Sequence, residues 1–333
     1  MVKLRLVLAA ALILSTSAFG QDTPDEPFNL ALPEHKGQLQ WSAPGFTVIQ
    51  SSAKPGGSEI GIRGKDKAGR IFFLGFLFLF PEQAPITSTK CRAGVLDPEK
   101  KDNPTLKVLT VSEDARGSGP PLALASYTAQ GGNGKTAYMI RGFLAGGDVC
   151  GDLEFYSDSP IGADDSVRIN QILAGYRLDE GYVPRLKDIF VYAQILYNSH
   201  MFKAAAPIFE LALAKLREQP KGQGDVQTMR RVLTDQAGMA YGISGDIPKA
   251  RAIFEKAILD DPDYPLYYYN LACADAEEKN LAGARSHLQM AFSKKANTLP
   301  GESMPDPTKD DSFLPYRNNK GFWTFVESLR NNP

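Results

Sequence analysis

The spacing of apolar residues changes once along the chain. Over residues 41–178, apolar and polar positions alternate in short segments separated by glycine- and proline-rich turns, which is typical of β-strands. From Arg185 onward the apolar residues recur every three or four positions, which is typical of amphipathic helices. The change predicts an α+β domain over residues 41–178, a linker over 179–184, and an all-α region after it.

The first domain is expected to be an antiparallel sheet covered by two helices. One helix is predicted within residues 81–101 and the other over 163–175. The segment 71–80 is almost wholly apolar, but a membrane span would need about 20 such residues. We therefore expect a central strand that is buried on both faces. The other strands are predicted over residues 46–50, 59–64, 105–113, 122–130, 136–144 and 148–157.

The all-α region contains a repeated pattern. Between Asp235 and Ala296, small and aromatic residues recur at an offset of about 34 residues. A third copy lies upstream, at a longer offset that an insertion near Gln219–Gly224 would explain. The pattern is carried by Ala193, Ala205, Phe209 and Ala212 in the first unit, by Gly238, Tyr241, Ala250, Phe254 and Ala257 in the second, and by Ala272, Ala284, Leu288 and Ala291 in the third.

This spacing resembles that of the tetratricopeptide repeat (TPR) family. The resemblance implies three helical hairpins over residues 185–296, followed by a loop and a capping helix over 297–333. Gly238 and Ala250 would lie where the two helices of one hairpin approach closely. Phe254 and Leu288 would fill the space between successive hairpins.

The resemblance also implies a concave groove that binds another protein or peptide, lined by the first helix of each hairpin. The chain lacks the lysine and asparagine set with which chaperone-binding members clamp a C-terminal carboxylate, so a chaperone tail is not the expected partner. Alternatively, aromatic residues such as Tyr269 pack against neighbouring helices. The candidate groove residues are Phe190, Gln194, Tyr197, Asn198, Asp235, Met239, Ile243, Leu266, Tyr269 and Asn270.

The first domain is similar to the PsbP-like fold in the order of its elements. The similarity rests on Trp41, on Gly45-Phe46 at a strand start, and on a closing helix followed by the segment 176–178. It implies a non-enzymatic accessory or binding domain.

The N-terminus has the features of a cleaved secretory signal over residues 1–20. Lys3 and Arg5 precede an apolar segment, and small residues follow where a signal peptidase would cut. A buried helix or a membrane anchor is the alternative. We expect a flexible lead-in over residues 21–40, a periplasmic or secreted protein, and no membrane span after cleavage.

Export places the cysteines in an oxidising compartment. We predict a disulfide between Cys91 and Cys150, and a packing role for Cys273. No CxxC motif occurs, and the three histidines show no ligand spacing, so no metal site or cofactor is expected. A glycine-rich segment over 129–136 resembles a phosphate-binding loop, but a strand pattern follows it, which favours a hairpin turn.

The 333 residues carry a formal net charge of −1, which gives no electrostatic basis for binding nucleic acid. No arrangement of nucleophile, base and acid is recognisable in the sequence. The preferred hypothesis is an exported, non-catalytic scaffold that mediates protein–protein interaction. The alternatives are self-association through the repeats, and an enzyme or small-ligand binder with a site in the sheet domain, where polar side chains such as Arg141, Asp148 and Glu154 would converge.

Overall fold

The fold is α+β, as the sequence predicts. A computed structural model describes residues 27–80, 85–117, 119–131, 134–218 and 226–331. The described residues up to Ser199 form one compact unit, and those from His200 onward form a second. The predicted signal at residues 1–20 and the predicted insertion at Gln219–Gly224 lie outside the described residues.

The N-terminal unit contains two antiparallel sheets. The small sheet has the order β1-β2-β10, and the large sheet has the order β3-β4-β5-β9-β8-β7-β6. The strands are β1 (Phe28–Ala31), β2 (Gln38–Trp41), β3 (Phe46–Ala53), β4 (Glu59–Asp66), β5 (Phe72–Leu79), β6 (Lys107–Asp114), β7 (Leu122–Gln130), β8 (Thr136–Gly146), β9 (Val149–Ser157) and β10 (Arg177–Asp179).

The small sheet packs closely on the large one because glycines leave room for its side chains. A Cβ atom at Gly75 would lie 2.6 Å from the indole ring of Trp41, and one at Gly151 would overlap the Leu39 side chain. Trp41 also makes ring contacts with Phe28 and Phe73. These side chains are fully or almost fully buried, so the space between the sheets is an aromatic core.

Helix α1 (Ser88–Asp102) packs against β7, β8 and β9. Thr87 caps its N-terminus by accepting a hydrogen bond from the backbone N–H of Lys90. The predicted disulfide joins Cys91 of α1 to Cys150 of β9, and both residues are fully buried. The disulfide therefore fixes α1 to the large sheet, and both of its cysteines belong to one apolar cluster of buried residues.

Helix α2 (Ala163–Gly175) has the predicted bounds. It is followed by helix α3 (Leu186–Asn198), which belongs to the N-terminal unit and packs on β3. The hydroxyl of Tyr192 donates to the backbone carbonyl of Lys54 at 2.5 Å and lies 2.8 Å from that of Glu59. The boundary between compact units therefore follows α3, whereas the sequence predicted a linker at 179–184.

Two further expectations for this unit need correction. Residues 28–31 and 38–40 of the expected lead-in belong to β1 and β2, because Phe28 and Leu39 supply buried side chains to the core. The apolar strand β5 lies inside the sheet, between β4 and β9. Only alternate residues such as Phe73 and Leu77 are buried, while Phe72 and its neighbours on the other face are partly exposed.

The C-terminal unit is helical. Consecutive helices pack against one another from α4 to α8. Their bounds are α4 (Phe202–Arg217), α5 (Val226–Ile243), α6 (Ile247–Asp260), α7 (Pro265–Glu277) and α8 (Leu281–Ser293). Short turns of 3-10 helix at Pro307–Lys309 and Asp311–Tyr316 precede a final helix, α9 (Lys320–Asn331).

Helix α9 covers one end of this unit. Phe322, Val326 and Leu329 are buried in a cluster with Leu288 of α8 and Tyr269 of α7. The sequence predicted a capping helix within residues 297–333; the structure begins it at Lys320, after the 3-10 turn that contains Phe313.

Candidate functional site

Helices α5 and α7 contact each other and form two walls of a groove of about 310 Å³. Three of the predicted groove residues line it: Met239 and Ile243 from α5, and Asn270 from α7. Met239 and Ile243 are four residues apart, so they lie on one face of α5. The groove surface is therefore mainly apolar, with one carboxamide on the opposite wall.

Glycines on α5 give the groove its depth. A Cβ atom at Gly238 would overlap the ring of Phe254, which projects from α6 and is buried. One at Gly242 would lie 3.7 Å from the Cβ atom of Ala250, an ordinary contact. The close approach of α5 and α6 thus depends on Gly238, as the repeat pattern indicates.

The buried side of the pattern agrees with the sequence analysis at nearly every position. Phe254 contacts the ring of Tyr267 on the next helix pair, at a centroid distance of 6.3 Å. Ala257 alone among the predicted packing residues is partly exposed. The buried members are Ala193, Ala205, Phe209, Ala212, Gly238, Tyr241, Ala250, Phe254, Ala272, Ala284, Leu288 and Ala291.

Sequence reasoning missed the remainder of the α7 wall. Cys273, Ala274 and Glu277 follow Asn270 by three, four and seven positions and line the groove with it. That helical spacing was the available signal. Ser312 also lines the groove, but it comes from the C-terminal 3-10 turn, so no local pattern could have placed it there.

Two ionisable side chains of α7, Cys273 and Glu277, line the groove. Burial raises the pKa of the Glu277 carboxyl and of the Cys273 thiol above their ordinary values. The Cys273 thiol lies 3.5 Å from a carboxylate oxygen of Asp310. Glu277 is exposed and supplies an acidic group on the α7 wall, where it can attract a cation on a ligand.

Asp235 does not line the groove, but it contacts Asn270, which does. Its Oδ1 accepts a hydrogen bond from Nδ2 of Asn270 at 2.6 Å, which joins α5 to α7. Burial, with a smaller contribution from the charge of Glu302, raises the pKa of Asp235 to about 7. Asp235 thus orients the Asn270 carboxamide that faces the groove.

Two other predicted groove residues are core residues. Tyr269 is 2% exposed, packs in the cluster with Phe313, and donates a hydrogen bond to Asp310 at 3.0 Å. Leu266 is 8% exposed. Both side chains are covered, because α7 is packed on several sides by other elements of its unit, including the 3-10 turn at Asp311–Tyr316. The alternative that these aromatics pack internally holds for Tyr269.

The four candidate groove residues of α3 do not share a unit with the others. Phe190, Gln194, Tyr197 and Asn198 lie in the N-terminal unit, where Phe190 and Tyr197 are buried and Asn198 is exposed. The structure therefore brings together Met239, Ile243 and Asn270, with Asp235 in contact with Asn270.

In the N-terminal unit, Arg141 forms a buried charge cluster. It lies 2.5 Å from Asp152 and 3.1 Å from Glu154 on β9, and 2.8 Å from Glu99 on α1. Tyr127 donates a hydrogen bond to Glu154 at 2.6 Å, and burial raises the pKa of that carboxyl. The cluster ties α1 to the sheet. Asp148, which the sequence grouped with Arg141 and Glu154, instead pairs with His35 at 2.8 Å.

Histidines pair with carboxylates at two places. Besides His35, His287 on α8 lies 2.6 Å from Asp275 on α7, and Asp275 also accepts a hydrogen bond from Arg251 on α6 at 2.8 Å. This junction connects three helices. Within the described ranges, no group of three or more histidine, cysteine, aspartate or glutamate side chains is arranged to hold a metal ion. The glycine-rich segment joins β7 to β8, which pair antiparallel from Gln130 and Thr136.

Comparison with known proteins gives no family for this chain. No family model and no curated protein matches it. Among solved structures it is similar to a protein from Bacteroides thetaiotaomicron VPI-5482, with 8% identity and a TM-score of 0.29, over 62% of this chain and 77% of that one. A likeness at this level supports no conclusion about fold or function. In the described part of the chain, no helix has the length and apolar character needed to cross a bilayer.

Proposed function

We propose that this protein is an exported, non-catalytic binding protein whose TPR-like helical unit holds an extended segment of another protein between α5 and α7. The observation that carries the proposal is the groove itself. It is lined by Met239, Ile243 and Asn270, which the resemblance to the TPR family predicts to face a ligand. The Cys91–Cys150 disulfide fits an oxidising compartment, which supports a periplasmic or extracellular location.

The lining indicates what the bound segment contains. Met239 and Ile243 suit an apolar side chain, and methionine adapts its shape to different partners. The Asn270 carboxamide has both donor and acceptor atoms and suits the backbone of an extended peptide. Glu277 suits a lysine or arginine on the same segment. The expected ligand is therefore an extended peptide with an apolar residue close to a basic one.

A peptide library selected against the full chain, without the predicted signal, tests this proposal. Selected peptides should share an apolar residue next to a basic residue. Their affinity, measured by fluorescence polarisation, should fall about tenfold or more in Met239→Glu, because a second carboxylate would be placed in the apolar wall.

Met290→Glu is the matched control, since Met290 lies on α8, is 40% exposed and does not line the groove. It should leave affinity unchanged. Glu277→Gln should weaken only the peptides that carry a basic residue. If selected peptides bind Met239→Glu as tightly as the native chain, the groove is not the binding site.

A further inference from the structure

A second cavity, of about 430 Å³, lies wholly within the N-terminal unit. It opens on the outer face of the small sheet, beside the first turn of α3. Leu39 and Trp41 point into the core, so the alternation of a strand turns Gln38 and Gln40 to the opposite face, where they line the cavity with Asn29. Three carboxamides thus share one concave surface.

Two hydrogen-bonded pairs of side chains lie in the lining of the cavity. Gln40 Nε2 donates to Gln38 Oε1 at 2.6 Å, and the Tyr182 hydroxyl donates to Asp188 Oδ2 at 2.7 Å. Gln38 is only 6% exposed. These hydrogen bonds orient Gln38 and Gln40, and Tyr182 and Asp188, before a ligand arrives. Each carboxamide has two N–H donors and an oxygen with two lone pairs, so it can bind further groups.

The charges around the cavity cancel. Arg185 and Lys187 are exposed cations in its lining, and Asp179 and Asp188 are the matching anions. Arg185 lies over the Tyr182 ring at 5.5 Å. With two charges of each sign, the lining does not select a ligand of strong net charge.

One wall of the cavity is apolar. Ile60 from β4 and Val191 from α3 are 3% and 9% exposed and contribute to the lining. A ligand that fits must therefore present many hydroxyl-like groups to the carboxamides and a C–H surface to this wall. The size of the cavity is within the range of small-molecule sites.

We propose that this cavity binds a small uncharged saccharide. Neighbouring sugar hydroxyls both donate and accept, which matches the carboxamides of Asn29, Gln38 and Gln40 and the carboxylates beside them. The C–H face of the sugar ring packs on Ile60 and Val191. The saccharide site belongs to the N-terminal unit, whereas the peptide groove belongs to the C-terminal unit. The two sites therefore bind different ligands.

The test is isothermal calorimetry on the full chain without the predicted signal, after a glycan array has selected the sugars. Maltose, cellobiose and N,N′-diacetylchitobiose are included in every case, with glycine and inorganic phosphate as charged comparators. We expect saturable binding of at least one sugar. Gln40→Leu should weaken it about tenfold or more, because the carboxamide that faces the ligand is lost.

Gln50→Leu is the matched control, because Gln50 is an exposed strand residue outside the cavity. It should bind as the native chain does. Should Gln40→Leu unfold at a lower temperature than the native chain, Asn29→Ala gives the same comparison at a partly exposed position. The proposal is overturned if no sugar binds the native chain, if glycine or phosphate binds in place of sugars, or if the folded cavity variant retains full affinity.

Discussion

Gly238 and Gly242 lie one helical turn apart on α5, but the space available for a side chain differs between the two positions. At Gly238 the Phe254 ring occupies the place of a Cβ atom, whereas at Gly242 there is ordinary van der Waals space. The repeat pattern of the sequence includes Gly238 and does not include Gly242, but it does not say which side chain lies next to each. What distinguishes them is the side chain that reaches each position from α6, and this is a property of packing.

We expect Gly238→Ala to lower the free energy of unfolding by about 1–3 kcal/mol, because the buried Phe254 ring must move. Gly242→Ala should be neutral or stabilise by up to about 1 kcal/mol, since alanine is the better helix former. Urea unfolding of both variants measures the difference. Equal effects of the two substitutions would contradict the packing described for Gly238.

Asp235 should make stability depend on pH. Its pKa is about 7 in the folded chain and about 3.9 when unfolded, so the folded state binds the proton more tightly between these values. The free energy of unfolding therefore falls as the pH rises from about 4 to 7. Asp235→Asn removes this dependence. The free energy of unfolding of the variant, relative to that of the native chain, should therefore increase by about 1–3 kcal/mol between pH 5 and pH 8.

Urea unfolding at the two pH values measures this effect. Asp260→Asn provides the comparison, because Asp260 is an exposed residue at the end of α6. A constant difference between Asp235→Asn and the native chain across this range would show that the carboxyl is not buried as described.

At the scale of elements, α1 buries few side chains and contains a proline, and covalent and ionic contacts hold it in place. Only Ser88, Cys91 and Leu96 of its fifteen residues are buried, and Pro98 lies within the helix. The helix is held on the sheet by the Cys91–Cys150 disulfide and by the contact of Glu99 with Arg141. The sequence located α1 and paired its cysteine correctly, but it gave no indication that Arg141 would meet Glu99.

We expect the double variant Cys91→Ser, Cys150→Ser to lose about 2–4 kcal/mol of stability, because the unfolded chain regains the freedom of the loop that the disulfide closes. Thermal unfolding with and without a thiol reductant measures this loss. Reductant should destabilise the native chain to the level of the variant and leave the variant unchanged. A native chain that is insensitive to reductant under unfolding conditions would contradict the prediction.

At the scale of the whole molecule, the two compact units divide after α3 and not at the composition change near residue 180. The change to a helical period in the sequence marks the residue at which helices begin. It does not mark the boundary between the two hydrophobic cores. Tyr192 binds the turn between β3 and β4 through its hydroxyl, so the first helix of the all-α pattern is part of the sheet unit.

A fragment of residues 21–199 should therefore be more stable than a fragment of residues 21–184, by about 3–5 kcal/mol, because the shorter one loses the buried Tyr192 ring. Tyr192→Phe in the longer fragment keeps the ring and loses only its hydrogen bonds, which should cost about 1–2 kcal/mol. Chemical unfolding of the three proteins gives the comparison. Equal stability of the two fragments would place the boundary at the earlier position.

The sequence by itself determined the α+β class, the seven strands of the large sheet, the helices, the disulfide and three residues that line the groove. Each follows from a local period or from one residue type, and local periods are set by which side chains must leave water. Tertiary structure alone decided that residues 28–31, 38–41 and 177–179 form a second sheet, that Tyr269 is core while Cys273 and Glu277 face the groove, and that the carboxamides of β1 and β2 share a cavity. These outcomes depend on which distant segment packs on each face of a helix or strand. The residue spacing within one segment shows which face is apolar, but it does not show which segment covers that face.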